Sequence, residues 1–272
     1  MKKYVATQEE IDILINNYVN KKWGLLKSGA ELGLGKKVVK RILVENGVKI
    51  RDNAEAHKKY EINDDYFDVE SHNMAYILGF LASDGNVSSK DNKIKIGLSS
   101  VDKEILERIR KELGSTRPLY EYTTNQGYNI VELTFSSAKI KNKIAEYGII
   151  PNKTLTLRPP YKLQDKYIID YIRGYFDGDG SICKTGYLKH GKEFRIVSAS
   201  KDILVFFEDY FYNKYGQSKN HIYPRNKKDG YLQLYDLRYS TDFTKQLYNI
   251  LYTPNSLYLK RKKDKYKQLL MI

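Results

Sequence analysis

Ile77-Leu78-Gly79-Phe80-Leu81-Ala82-Ser83-Asp84-Gly85 returns, at an offset of 95 residues, as Ile172-Arg173-Gly174-Tyr175-Phe176-Asp177-Gly178-Asp179-Gly180. The flanks repeat with it. Each copy leads into an alternating apolar/polar segment (93–98 and 193–198) and then an amphipathic helical pattern that stops at a glycine (102–113 before Gly114, 202–215 before Gly216). Strand-like runs follow at 128–135 and 231–239, then helical runs at 137–147 and 241–251. The copies close alike, on Pro151-Asn152-Lys153-Thr154-Leu155 and Pro254-Asn255-Ser256-Leu257. Two copies are too few for a solenoid, which needs about three. The order of markers predicts a pseudo-dimer with one internal two-fold axis.

The nonapeptides read as apolar helices ending at Asp-Gly. Gly79 and Ser83, and Gly174 and Gly178, are small residues four apart, a spacing that lets two helix backbones approach closely. Gly85 and Gly180 suit the left-handed position that ends a helix. Asp84 and Asp179 then stand at helix C-termini, where the macrodipole disfavours a carboxylate by about 0.3–1 kcal/mol. Packing the helices side by side brings both carboxylates together. A divalent cation relieves that arrangement, and oxygen ligands suit Mg²⁺. One Asp-Gly is an ordinary turn signal; its duplication in matched flanks makes both carboxylates candidate functional groups.

The two copies resemble the LAGLIDADG motifs of monomeric homing endonucleases, over about residues 73–268. The resemblance implies an α+β fold: a tandem αββαββα core with pseudo-two-fold symmetry and saddle-shaped antiparallel sheets. It implies half-domains at 73–160 and 161–272, with the motif helices as their interface. Asp84 and Asp179 would be catalytic and would bind metal beside Gly85 and Gly180. Mg²⁺ is the implied cofactor, with Mn²⁺ or Ca²⁺ able to take the same sites. The implied activity is site-specific double-strand DNA cleavage with short 3′ overhangs at a long, pseudo-symmetric target, by a monomer. One departure is Ala82, where the second copy keeps Asp177; that position is usually structural. Lys201, Gln233 and Arg238 are candidates for active-site support.

The first fifty residues form a separate pattern. Ile11, Leu14, Ile15 and Tyr18 recur at helical spacing after Thr7, a candidate N-cap. Further helices are expected at 25–32 and 36–45, the last ended by Asn46-Gly47. Gly29, Gly33, Val39 and Ile42 would pack two of them across a tight turn, as in a helix-turn-helix or any compact helical hairpin. Lys36, Lys37, Lys40 and Arg41 mark the third helix as DNA-binding, or as a solvated basic helix. Residues 1–51 are therefore read as a helix-turn-helix-like module and 52–72, polar and without periodicity, as a linker.

Charge agrees with a phosphate partner. The 272 residues carry 47 Lys+Arg against 33 Asp+Glu, a net charge of +14. In 93–98, period-two alternation puts Lys93 and Lys95 on one sheet face; Arg195 alternates with Phe194 and Ile196, and Gln233 lies between Leu232 and Leu234. Such faces would lie along a major groove, or simply be soluble. The basic loop 223–228, with Arg225, and the tail 260–267, with Lys260 and Arg261, are expected phosphate contacts.

Other classes fit less well. Mean hydropathy is −0.59, no apolar run approaches the roughly 18 residues of a membrane span, and no amphipathic anchor is evident. Met1-Lys2-Lys3 leads into no apolar core, so no signal peptide is expected, and the single Cys183 fits a reducing compartment. An intracellular location is expected, cytoplasmic or nucleoid-associated, in a cell, an organelle or a phage-infected host. Gly186 to Lys192 has phosphate-loop spacing, but Glu193 replaces the Ser/Thr and a strand follows. His57, His72, His190 and His221 form no zinc pattern. A restriction-type reading of Asp84, Asp91 and Lys93 leaves the second copy unexplained. The alternative to the endonuclease is a non-cleaving nucleic-acid binder on the same scaffold, an intron-RNA maturase or a transcription regulator.

Overall fold

The computed structural model describes residues 4–51, 59–184, 191–225 and 231–270. The phosphate-loop spacing at 186–190, linker residues 52–58 and loop residues 226–228 lie outside them, with His57 and His190. Two units separate, at Lys59 and Tyr60.

The first unit is helical. Helix α1 (Gln8–Ile15) starts at a capping box in which Thr7 accepts from the Glu10 amide and the Glu10 side chain accepts from the Thr7 amide. It runs into one π-helical stretch, Asn16–Asn20. The helix expected at 25–32 is interrupted. Helix α2 (Leu25–Ser28) gives way to a 3₁₀ turn, Ala30–Leu32, which ends at Gly33 with φ +64°. A Cβ on Gly29 would lie 2.4 Å from Val39 Cγ2 and 2.7 Å from the Leu34 carbonyl oxygen, so only glycine fits this turn. Helix α3 (Lys36–Glu45) buries Val39, Ile42 and Leu43 against Leu14, Tyr18 and Leu34.

The second unit is built twice over. Helix α4 (His72–Ser83) is followed by β1 (Gly85–Val87), β2 (Lys93–Ser99), α5 (Lys103–Glu112), β3 (Tyr120–Thr123), β4 (Asn129–Ser136) and α6 (Ala138–Glu146). The same order recurs in α7 (Asp165–Asp179), β5 (Gly180–Lys184), β6 (Lys192–Ser198), α8 (Lys201–Tyr215), β7 (Ile222–Pro224), β8 (Tyr235–Tyr239) and α9 (Thr241–Leu251), to which α10 (Lys260–Leu270) is added. Both sheets are antiparallel, ordered β1-β2-β4-β3 and β5-β6-β8-β7. This is the tandem αββαββα architecture, α+β in class.

Alternation sets each sheet's inner face. Ile94, Ile96, Val131 and Leu133 are buried in the first, Phe194, Ile196, Leu237 and Tyr239 in the second. Helices α4 and α7 are buried nearly all round, as their sequences predict for a central seam. Aromatic packing runs off that seam: Phe176 stacks on Phe194 at 4.6 Å, and Tyr171 and Tyr175 meet Phe207 edge-on.

Three expectations need correction. The linker ends earlier than residue 72. From Tyr60 the chain packs with the second unit, where Phe67 is buried in a 3₁₀ turn and the Asn63 amide donates to the Leu113 carbonyl. Gly85 and Gly180 do not take the left-handed conformation; Gly180 is extended, at φ −85° and ψ 166°. Glycine is needed there because a Cβ would strike the Leu81 carbonyl oxygen at 2.4 Å or the Phe176 ring at 2.0 Å. Gln233 lies outside β8, before its first residue, and donates to the carbonyls of Arg225 and Leu234.

Candidate active site

The small residues of the repeat bring the two helices together. A Cβ on Gly79 would lie 2.0 Å from the Tyr171 carbonyl oxygen, and one on Gly174 2.0 Å from that of Tyr76. One turn further on, Gly178 lies against Ser83 and the Asp84 carboxylate, its built Cβ 2.0 Å from Ser83 Oγ and 2.9 Å from Asp84 Oδ2. Close packing at this end sets Asp84, the C-cap of α4, against the last turn of α7, which ends on Asp179. The expected convergence of the two carboxylates is therefore present.

Their electrostatics follow from that placement. Burial raises the Asp84 carboxyl to about 6, with the Asp179 charge adding to the effect and Lys262 and Lys153 opposing it. Asp179 is likewise raised by the protein around it, against the pull of Lys153 and Lys262. Among the described residues neither carboxylate has a hydrogen-bond donor.

Two lysines complete the site: Lys153, not a candidate from the sequence, and Lys262, expected only as part of the phosphate-contacting tail. Lys153 Nζ donates to the carbonyls of Ser83 (3.1 Å) and Gly85 (2.7 Å) at the end of α4. Lys262 Nζ donates to those of Phe176 (2.8 Å), Gly178 (2.9 Å) and Gly180 (2.7 Å) at the end of α7. Each ammonium thus satisfies orphan carbonyls at a helix C-terminus, where positive charge is favoured. Burial lowers both lysines, Lys262 to about 8, while the nearby aspartates hold them up. The Gly85 and Gly180 carbonyls, expected beside the metal, accept from these lysines, and the two carboxylates are the candidate cation-binding groups. A hard divalent ion suits two crowded carboxylate donors without hydrogen-bond partners, its remaining ligands being water or phosphate oxygen. No cluster of three acidic, His or Cys ligands exists among the described residues.

The support candidates lie elsewhere. Lys201 extends over the Tyr235 ring, and Arg238 is paired with Asp236. Asp177 is structural, as expected: buried at 1% exposure, it accepts from Tyr76 Oη, Tyr252 Oη and the Leu259 amide. Its counterpart Ala82 is simply packed.

Several expected DNA-contacting cations are held within the protein. Lys95 pairs with Glu132 at 2.6 Å and Lys93 with Asp91 at 3.6 Å. Arg195 pairs with Glu193, Arg225 and Arg238 share Asp236, and Lys260 pairs with Asp264. Arg261, expected on phosphate, grips the buried Asp102 with Nε and a terminal nitrogen, tying α10 to the first half. In the first unit Lys36, Lys37 and Lys40 are exposed on α3, whereas Arg41 pairs with Glu45 and donates to the Tyr4 carbonyl.

Residues 71–147 match the LAGLIDADG-like domain family, and the seam, the sheets and the paired aspartates repeat that domain's plan in the second half. The chain thus carries a LAGLIDADG-like domain at residues 71–147, and its second half repeats that domain's order of elements and sheet topology. It is similar to the uncharacterized protein MJ0314 of Methanocaldococcus jannaschii, 26% identical over 160 residues, which make up 53% of this chain and 54% of that protein. The chain therefore spans about half the length of this curated relative. Among solved structures it is similar to the meganuclease I-SmaMI bound to uncleavable DNA (13% identity, 72% of this chain and 88% of that one, TM-score 0.46). It is also similar to the N-terminal LAGLIDADG domain of DUF199/WhiA (12% identity, 75% and 93% covered, TM-score 0.45). No helix among the described residues is long and apolar enough to cross a membrane.

Proposed function

We propose that the protein is a site-specific double-strand DNA endonuclease of the homing type, with Asp84 and Asp179 each serving one strand. The observation that carries this reading is the pair of crowded carboxylates at the ends of two crossed helices, each helix end capped by a lysine. A divalent cation, Mg²⁺ in the cell and Mn²⁺ or Ca²⁺ as substitutes, would supply water activation and stabilise charge on the leaving 3′ oxygen. The chain's residues do the rest. The aspartates stand where phosphate must come, and Lys153 and Lys262 oppose the upward shift that burial imposes on both carboxyls. Their ammonium groups also offset the phosphate charge.

The outward sheet faces, bearing Lys93, Lys95, Arg195 and Arg238, are the proposed major-groove surfaces for a long duplex target. One chain supplies both halves, so the active species is a monomer. Residues 1–51 act as a helix-turn-helix-like module whose Lys36, Lys37 and Lys40 extend the contact with DNA. Gln233 and Lys201 are left to outer contacts. The test is incubation of the full chain with a plasmid carrying the DNA that flanks its own gene. Linear product with Mg²⁺ and none with EDTA supports the endonuclease. Tight intron-RNA or duplex binding without cleavage supports the non-cleaving alternative.

A further inference from the structure

The two outward sheet faces differ in chemistry. On the first, cross-strand register places Lys93, Lys95, Glu132, Thr134, Tyr120 and Tyr122 together, and its strands contain no arginine. On the second, Arg195 lies directly opposite Arg238, and Tyr223 is opposite Asp236. Asp236 points to this outward face yet is fully buried, because arginines roof it. Arg225 donates Nε (2.9 Å) and sets a terminal nitrogen (2.8 Å) against Asp236 Oδ1, and Arg238 donates to Oδ2 at 2.6 Å. Arg195 gives Nε (3.1 Å) and one terminal nitrogen (2.7 Å) to Glu193 Oε1.

This bracing matters because of the geometry of a guanidinium. Arg195 and Arg225 each spend Nε and one terminal nitrogen on a carboxylate, which leaves the N–H donors at the guanidinium's end for an outside acceptor. Arg238 is held through one terminal nitrogen and by its stack over the Tyr223 ring, while its Nε is buried without an acceptor. A lysine samples many positions and suits phosphate; a braced guanidinium fork matches the O6 and N7 acceptors of guanine with little ordering left to do.

We infer that Arg195 and Arg238, oriented by Glu193 and Asp236, read guanine bases in the half-site beneath the second sheet, so that the target is chemically lopsided. This rests on the proposed DNA-binding reading. The test is selection of full-length protein on a randomised duplex library, with EDTA present so that no strand is cut, repeated with Arg195→Lys and Arg238→Lys. These variants keep the charge and remove the fork. The expected result is a preferred sequence with guanines concentrated in one half. Each variant should lose preference for guanine at one position by roughly 5- to 150-fold. The salt dependence of binding should be unchanged, and Arg195→Lys should melt at the parent's temperature. A preferred sequence whose guanines neither variant disturbs overturns this inference alone. A library that yields no preferred sequence overturns it together with the site-specific reading. Should Arg238→Lys unfold, Arg195→Lys decides, since its partner Glu193 is itself partly exposed.

Discussion

Gly174 faces the backbone of Tyr76 so closely that a β-carbon would sit 2.0 Å from the Tyr76 carbonyl oxygen. No rotamer relieves that clash, because both partners are backbone. Gly174→Ala should therefore separate α4 from α7 and cost about 1–3 kcal/mol or more. Gly97→Ala, where the same atom meets nothing within 4 Å, should stay within about 0.5 kcal/mol of the parent. Denaturant melts of the two variants make the comparison.

Asp177 gathers three donors in a buried pocket, from Tyr76, Tyr252 and the Leu259 amide. Asp177→Asn keeps the shape but turns an amide NH₂ toward donors. It should destabilise the fold by about 1–3 kcal/mol. Equilibrium unfolding of this variant beside Ala82→Ser, which alters the pseudo-symmetric position, shows whether the cost belongs to Asp177 alone.

Asp84 makes stability depend on pH. Its folded pKa, about 6, lies above the ordinary 3.8, so the folded protein holds this proton more tightly than the unfolded chain does. The contribution of the protonated form is complete below about 3.8 and is lost as pH rises through about 6. Asp84→Asn should remove that part of the pH dependence and raise the melting temperature at pH 7. Mg²⁺ should stabilise the parent at pH 7 and stabilise Asp84→Asn less. Melting curves from pH 4 to 8 read both effects.

Lys153 and Lys262 hold the helix ends and face the carboxylates together. Lys262→Met should lower cleavage by about 10²-fold, the scale expected for removing one preorganised electrostatic partner. It should also move the acid limb of the pH–rate profile upward, because the aspartates lose a cation that favours ionisation. A purely structural cap would lower stability without moving that limb.

Much of the fold is legible in the two nonapeptides, because Gly79, Gly174 and Gly178 report a backbone crossing that few other residues permit. Asp84 and Asp179 follow from the same crossing. The lysines do not. In the first copy Lys153 belongs to the closing segment, but Ser256 holds the matching place in the second, and the ammonium comes from Lys262 on a later helix. Comparing the repeats therefore shows no pair. Gly85 and Gly180 are legible as obligatory glycines, although crowding rather than a left-handed φ requires them. Residues 60–71 look like linker because one buried aromatic, Phe67, anchors an otherwise polar run. Charge counting finds Arg195, Arg225 and Arg238 but misses the acids that aim them; Asp236 is the residue that turns a basic strand into an oriented one.

The central claim is that Asp84 and Asp179 each direct the cutting of one strand. The direct measurement is cleavage of a supercoiled plasmid carrying the gene's flanking DNA, with Mg²⁺, by the parent, Asp84→Asn and Asp179→Asn. The parent should give linear DNA. Each variant should bind the target about as well as the parent and give no linear product, at most a nick in one strand. Linear product at the parent's rate from either variant would contradict the account.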